Sequence, residues 1–119
     1  MKILLVDDEM EFVSTLAERL ALRGIDVDWV SSPKEALNKV TQNSYDLTLL
    51  DVKMPGQSGF ELKRHLQERC PEMKFIFLTG HGSKEAYQTG SAHAGEEYYL
   101  LKPIKIDELM SKISKVLTS

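Results

Sequence analysis

Five polar side chains directly follow short apolar segments of the sequence, as side chains at the ends of strands would. They are Asp7, Asp8, Asp51, Thr79 and Lys102. Carboxylates held within a few ångströms repel one another, and a hard divalent cation relieves that repulsion. Because an all-oxygen set of ligands suits Mg²⁺, the three aspartates indicate a magnesium site. For Asp7 or Asp8 alone, the alternative is a cap on the helix that follows.

Asp51 has two interpretations. It precedes Met54-Pro55-Gly56, which predicts a tight turn, and aspartate is a common turn residue. Alternatively, its carboxylate is a nucleophile that accepts a phosphoryl group. A strand end beside a metal site favours the second interpretation, because Mg²⁺ neutralises charge on the transferring group and positioning supplies most of the catalysis.

Lys102 and Thr79 are the residues that would complete such a site. At a strand end facing the acidic residues, the Lys102 ammonium would pair with a phosphoryl oxygen, although a solvated surface position is the ordinary fate of a lysine. The Thr79 hydroxyl would bond a phosphoryl oxygen or cap the next helix. Pro103 follows Lys102, and proline at this place permits a cis peptide bond.

Five apolar segments predict the strands that would position these residues: 3–6, 25–30, 47–50, 75–78 and 98–101. Each is followed by a segment with helical spacing of apolar residues. The second helix opens with the capping box Ser32-Pro33-Lys34-Glu35, the third follows Gly59, the fourth covers 83–94 and the last runs from Ile106 to Val116. This alternation predicts an α/β domain with one parallel sheet and helices on both faces.

The pattern within each segment indicates its place in the sheet. Segments 3–6 and 75–78 are apolar throughout, which is typical of strands covered on both faces. Segment 25–30 alternates apolar and acidic residues, so we expect that strand at an edge. The helix over 83–94 contains Thr89 and Gly90 and few large apolar residues, so we expect it to be the most mobile element.

The composition is that of one globular domain, with 119 residues of which 42% are apolar and 28% charged. A net charge of −3 provides no broad basic surface, so we expect no direct binding to nucleic acid and no binding to a membrane. No segment approaches the length of a membrane span. Cys70, the single cysteine, cannot form an internal disulfide, which suits a cytoplasmic protein.

Two familiar phosphate-binding motifs are disfavoured. Segment 80–84 has the order Gly-Ser-Lys, whereas a Walker loop needs Gly-Lys-Ser/Thr. The turn after the first strand is Asp7-Asp8-Glu9 rather than glycine-rich. Because its negative charge would repel a pyrophosphate, a dinucleotide-binding fold is disfavoured as well.

The whole chain, from Lys2 to about Leu117, resembles the receiver domain of two-component response regulators. The resemblance rests on an ordered set of motifs: Asp7-Asp8, Asp51 with Met54-Pro55-Gly56, Thr79-Gly80, and Tyr99-Leu100-Leu101-Lys102-Pro103. It implies a flavodoxin-like (βα)₅ fold, which is a doubly wound parallel sheet of five strands in the order 2-1-3-4-5. It also implies that residues 1–119 form a single receiver domain.

The resemblance further implies a role for each acidic residue. Asp51 would accept a phosphoryl group from a histidine of a sensor kinase or of a phosphotransfer protein. Asp8, Asp51 and the backbone carbonyl of Lys53 would bind Mg²⁺, and Asp7 would hold a metal-bound water. Lys53 would also flank the phosphoryl group, as would His81, and tune the lifetime of the acyl phosphate.

The remaining motif residues would bind the phosphoryl group and transmit its presence. By the same resemblance, Lys102, Thr79 and the backbone N–H of Gly80 contact phosphoryl oxygens, and the bond before Pro103 is cis. Phosphorylation draws Thr79 inward, and the ring of Tyr99 moves from an outward to an inward position.

The implied output surface consists of the helix over 83–94, the fifth strand and the last helix. It would change its partner preference on phosphorylation, and it is where such domains form homodimers. Lys105, Ile106, Lys112 and Lys115 offer a mixed apolar and basic surface there. The phrases around Asp51 and Thr79 are similar to receivers of enhancer-binding transcription activators, so we expect the regulatory domain of such a protein.

Two other classes remain as alternatives. A phosphohydrolase of the haloacid dehalogenase type carries Asp-x-Asp, in which the second aspartate is the acid/base, but here Lys53 occupies that place, which argues against turnover. A pseudo-receiver, used only as a binding module, would lack one of the acidic or lysine positions, and all are present. The sequence therefore predicts a signalling switch that catalyses only its own phosphorylation and dephosphorylation.

Overall fold

The computed structural model describes residues 1–80 and 99–118 of the chain. Within this part, strands and helices follow in the order β1 (Lys2–Val6), α1 (Met10–Leu22), β2 (Asp26–Val30), α2 (Pro33–Gln42), β3 (Leu47–Asp51), α3 (Gly59–Arg69), β4 (Lys74–Thr79), β5 (Tyr99–Leu101) and α4 (Ile106–Thr118). The helix predicted over 83–94 lies outside the described residues, as does His81. None of the helices in the described ranges is long and apolar enough to cross a membrane.

The five strands form one parallel sheet in the order β2-β1-β3-β4-β5. This confirms the predicted order 2-1-3-4-5 and the edge position of β2. The burial of each strand agrees with the position that its pattern of apolar residues predicts. In β1 the residues from Ile3 to Val6 are buried, whereas Asp26 and Trp29 of the edge strand are exposed.

Successive side chains of each central strand enter two different cores. Ile3 and Leu5 pack in a core with apolar residues of α1 and α4, whereas Leu4 and Val6 pack in a second core with residues of α2 and α3. Because neighbouring strand side chains point to opposite faces, the helices must cover both sides of the sheet. The structure is therefore the doubly wound α/β fold that the alternation of segments predicts.

Two serines define where α2 and α3 begin. The Glu35 N–H donates to Ser32 Oγ at 3.2 Å, and the Glu61 N–H donates to Ser58 Oγ at 3.2 Å. The second half of the predicted capping box does not form as such. The Glu35 carboxylate instead accepts hydrogen bonds from the hydroxyls of Ser31 and Ser32, both at 3.1 Å. The carboxylate that would accept a hydrogen bond from the backbone in a full capping box thus accepts from two neighbouring hydroxyls instead.

Gly59 brings the start of α3 against the end of β3. Its N–H donates to the carbonyl oxygen of Val52 at 2.8 Å. A Cβ atom at this position would collide with the backbone carbonyl oxygen of Asp51. The absence of a side chain therefore permits the close contact that fixes the strand end carrying Asp51.

We expect Gly59→Ala to destabilise the domain by about 1–3 kcal/mol, because the added methyl group meets backbone that cannot move aside without shifting β3. The midpoint of urea unfolding measures this loss. Gln67→Ala, on the exposed face of the same helix, is the matched control and should change the midpoint little. An unchanged midpoint for Gly59→Ala would show that the contact with β3 is not tight.

Candidate functional site

The register of the sheet brings the predicted site residues to one edge. Val6 pairs with Leu50, so Asp7 and Asp51 are the next residues on neighbouring strands. Thr79 pairs with Leu101 at the ends of β4 and β5, which places Lys102 just beyond that pair. Because all the strands are parallel, their carboxyl ends meet at this edge, where ligands bind in open α/β sheets.

Asp7 is held rigidly as the chain leaves β1. Its N–H donates to the carbonyl oxygen of Val30 at 3.2 Å, and its Oδ1 accepts a hydrogen bond from the Glu9 N–H at 2.9 Å. The Asp7 residue is completely buried, whereas Asp8 is exposed. Glu9 rather than either aspartate is the N-cap residue of α1, and its own side chain makes no capping hydrogen bond. Asp7 therefore holds the start of α1 through the Glu9 N–H while its other oxygen belongs to the site.

Asp51 lies at the end of β3 and is buried as well. The segment after it turns away through Gly56, which has a positive φ of 84°, and returns to the sheet at Gly59. Residues of this segment, from Val52 to Ser58, line an open cavity of about 510 Å³ together with Glu61. The turn interpretation and the nucleophile interpretation of Asp51 are thus compatible, because the turn begins after the carboxylate.

Asp7, Asp8 and Asp51 form what we call the acidic cluster. One carboxylate oxygen of each lies within 4.8 Å of the others. Asp7 Oδ2 is buried and lies 2.7 Å from the Lys102 ammonium. Hard oxygen donors at this spacing fit a hard cation such as Mg²⁺.

Lys102 supplies the positive charge beside the acidic cluster. Its Nζ atom lies 2.7 Å from Asp7 Oδ2 and 3.8 Å from Asp51 Oδ1. Two further partners complete its surroundings: Glu9 Oε1 at 2.6 Å and the ring of Phe12, whose centroid is 4.5 Å away. The lysine is therefore not the solvated surface residue of the alternative interpretation, since it is paired with carboxylates and an aromatic face.

Burial and nearby negative charges raise the pKa of both buried carboxylates, Asp7 and Asp51. Burial and, next, the negative charge of Asp7 raise the pKa of Asp51 from 3.8 to about 7, against the opposing effect of the Lys102 ammonium. Burial also raises the pKa of Asp7, against the opposing hydrogen bond and charge of Lys102. The pKa of Lys102 is raised because its hydrogen bonds and charge interactions with Asp7 and Glu9 outweigh its burial. The site thus carries more negative charge than its one ammonium balances.

Thr79 and Tyr99 lie next to this cluster but face other groups. Thr79 is fully buried, and its hydroxyl donates to the Leu100 carbonyl oxygen at 3.5 Å. Tyr99 is buried, and its ring stacks on Phe77 with the centroids 5.2 Å apart. The structure therefore shows Tyr99 in a buried position and directs the Thr79 hydroxyl toward β5 rather than toward Asp51.

The other predicted positions surround the cluster. Lys53 is exposed and lines the cavity after Asp51. A Cβ on Gly80 would meet no heavy atom of the described residues within 4 Å. The Lys102–Pro103 peptide bond is cis.

Sequence reasoning missed two residues that contact Lys102. From the sequence, Glu9 is predicted only as part of an acidic turn, and Phe12 only as one of the apolar residues spaced at helical intervals after the first strand. A third acid directly after Asp7 and Asp8 was the available signal for Glu9. Nothing in the spacing of Phe12 distinguishes a ring over a lysine from an ordinary core residue, because both lie on the buried face of a helix.

Comparison with known proteins identifies the family. Residues 3–114 match a family model described as the response regulator receiver domain. The two-component response regulator PhoP of Pseudomonas aeruginosa is 34% identical over 117 residues, which are 98% of this chain and 52% of that protein. The transcriptional regulatory protein DltR of Streptococcus agalactiae is 31% identical over 95% of this chain and 50% of its own length. The chain therefore spans about half the length of these curated relatives.

A solved structure agrees with both the fold and the family. The response regulator protein TrrA from Thermotoga maritima, in complex with Mg(2+)-BeF, is 34% identical and superposes with a TM-score of 0.81. The match covers 98% of each chain. The chain belongs to the response regulator receiver domains of two-component signalling proteins.

Proposed function

We propose that this domain is a phosphoacceptor switch in which Asp51 takes a phosphoryl group from a histidine of a sensor kinase or phosphotransfer protein. The observation that carries the proposal is the acidic cluster with Lys102 3.8 Å from the Asp51 carboxylate. Metabolic enzymes bind and release a substrate repeatedly, whereas this site offers a carboxylate that is itself modified. Its only catalysis would be its own phosphorylation and dephosphorylation.

The transfer forms one bond and breaks another. An oxygen of the Asp51 carboxylate attacks the phosphorus atom, the phosphorus–nitrogen bond of the phosphohistidine breaks, and its electron pair remains on the imidazole nitrogen. The burial that raises the pKa of Asp51 also removes water from the nucleophile. The Lys102 ammonium lies close enough to move onto a phosphoryl oxygen, where it would stabilise the developing charge.

The acidic cluster fits Mg²⁺, and TrrA is described in a complex that contains it. Asp8, Asp51 and the backbone carbonyl of Lys53 would hold the ion, with Asp7 acting through a water. The cation would supply charge neutralisation for the transferring phosphoryl group. It would also relieve the repulsion among the three carboxylates.

Thr79, Gly80 and Tyr99 would convert the phosphoryl group into a change of surface. The Thr79 hydroxyl would leave the Leu100 carbonyl oxygen and bond a phosphoryl oxygen, beside the backbone N–H of Gly80. Phosphorylation would favour the inward position of the Tyr99 ring, which is the buried position seen here, over an outward position. An added charge of about −2 biases an element with two arrangements in this manner.

The output would be a change in partners at the surface that includes β5 and α4. A homodimer through this surface is part of the proposal, since Ile106 and the lysines of α4 offer an apolar and basic face. The relation to DltR, a transcriptional regulatory protein, supports a role as the regulatory domain of a transcription activator.

Incubation with Mg²⁺ and acetyl phosphate should add a single phosphoryl group to the wild-type chain. Asp51→Asn should give no adduct, because an amide is not a nucleophile for this transfer. Intact mass spectrometry measures the addition, and treatment with base should remove it. An adduct that persists in Asp51→Asn would place the acceptor elsewhere, and no adduct in the wild type would oppose the phosphoacceptor proposal.

Asp8→Ala should weaken Mg²⁺ binding at least tenfold, because it removes a carboxylate of the acidic cluster. Isothermal titration calorimetry measures the dissociation constant. Asp26→Ala removes an equal charge from the exposed edge strand and should leave the constant nearly unchanged. Equal effects of the two substitutions would contradict the assignment of the site.

Without Mg²⁺, Asp51 should make the stability of the domain depend on pH. Because its pKa is raised from 3.8 to about 7 in the folded state, the ionised form is disfavoured by folding, and stability should fall as pH rises from about 4 to about 7. Asp51→Asn should therefore be about 1–3 kcal/mol more stable than the wild type at pH 8 and similar to it at pH 4. Urea unfolding at both values measures the difference, with Asp26→Asn as control. A constant difference at the two values would contradict the perturbed pKa.

A further inference from the structure

The Lys102 ammonium is held mainly by groups other than the proposed phosphoacceptor. Its Nζ atom makes its two shortest contacts with Glu9 Oε1 at 2.6 Å and Asp7 Oδ2 at 2.7 Å. Asp51 Oδ1 lies 3.8 Å away, beyond hydrogen-bond distance. The ring of Phe12 lies 4.5 Å away and adds a further attraction on that side.

Glu9 is fixed in a position from which its side chain reaches Lys102. Its N–H donates to Asp7 Oδ1 at 2.9 Å, and its carbonyl oxygen accepts the first hydrogen bond of α1 from the Val13 N–H at 3.0 Å. The Glu9 carboxylate is 63% exposed and does not belong to the acidic cluster. Its carboxylate therefore contacts the lysine and is not a member of the proposed metal site.

We propose that Glu9 is a positioning residue that holds the Lys102 ammonium at the outer side of the site and thereby slows phosphorylation of Asp51. The inference rests on the proposed function. When a phosphoryl group arrives, the ammonium must exchange the Glu9 carboxylate for a phosphoryl oxygen. The Lys102–Glu9 pair is present before transfer and lost after it, so it stabilises the unphosphorylated state selectively.

The chemical step itself is unchanged by Glu9. With acetyl phosphate as donor, the bond between Asp51 oxygen and phosphorus forms, and the donor's phosphorus–oxygen bond breaks. The electron pair leaves with acetate, and Lys102 keeps its proton throughout. Glu9 takes part in neither bond change and acts through the position of the ammonium.

We expect Glu9→Gln to be phosphorylated by acetyl phosphate about two- to fivefold faster than the wild type, a range set by the modest strength of an ion pair with one exposed member. Intact mass spectrometry over time, at saturating Mg²⁺, measures the rate. Glu11→Gln removes the same charge from the first turn of α1, at a residue without a contact to Lys102 in the described part of the chain, and should match the wild type. A rate for Glu9→Gln at or below that of the wild type would overturn the inference, as would an equal gain in Glu11→Gln.

A double-mutant cycle tests the Lys102–Glu9 pair without donor or Mg²⁺. The shift in Tm caused by Glu9→Gln should be about 1–4 °C more negative in the wild-type background than in the Lys102→Met background. The reason is that only the wild-type background has the Lys102–Glu9 ion pair to lose. Equal changes in the two backgrounds would overturn the inference.

The two experiments separate this inference from the proposed function. A base-labile adduct on Asp51 in the wild type, with no coupling between Glu9 and Lys102, would overturn the role of Glu9 alone. Absence of that adduct in the wild type would overturn both the proposed function and the role of Glu9 in slowing phosphorylation, whatever the double-mutant cycle shows.

Discussion

The structure depends on the close approach of buried carboxylates at the carboxyl ends of β1 and β3. Parallel pairing of Val6 with Leu50 places Asp7 and Asp51 at the ends of adjacent strands, and both residues are buried. Burial then raises the pKa of both, the negative charge of Asp7 contributes to the rise at Asp51, and the Lys102 ammonium opposes the rise at each. Such an arrangement is unfavourable in isolation, so the rest of the fold must hold it in place.

The two hydrophobic cores provide that support from both faces of the sheet. In β1 the residues from Ile3 to Val6 are buried, and β3 is buried throughout. Neither strand can therefore slide by one position without moving its apolar side chains to the wrong core. At the open end of the sheet, Gly59 lets α3 pack directly behind Asp51. The carboxylates are therefore held by backbone contacts and apolar packing, whereas their charges interact with groups on the loops.

Most of the fold and the members of the acidic cluster could be predicted from the sequence, because strand burial and strand ends leave regular signals. The alternation in 25–30 indicated the edge, and the acids after two buried strands indicated the cluster. The directions of individual side chains could not be predicted. The spacing of residues does not determine whether Glu35 accepts from backbone or hydroxyl groups, or which acid pairs with Lys102. Those choices depend on rotamers and competing donors, which periodicity does not encode.

A short path of contacts joins the site to the aromatic rings of Tyr99, Phe77 and Phe60. Thr79 touches the carbonyl oxygen of Leu100, and Leu100 follows Tyr99, whose ring stacks on Phe77 two residues before Thr79. Phe77 in turn contacts the half-exposed ring of Phe60 on α3, with the centroids 4.7 Å apart. Interiors packed at crystal-like density do not absorb a displacement at one residue alone. A movement of the Thr79 hydroxyl toward Asp51 must therefore alter the contact between β4 and β5, and it does so one residue from the buried tyrosine.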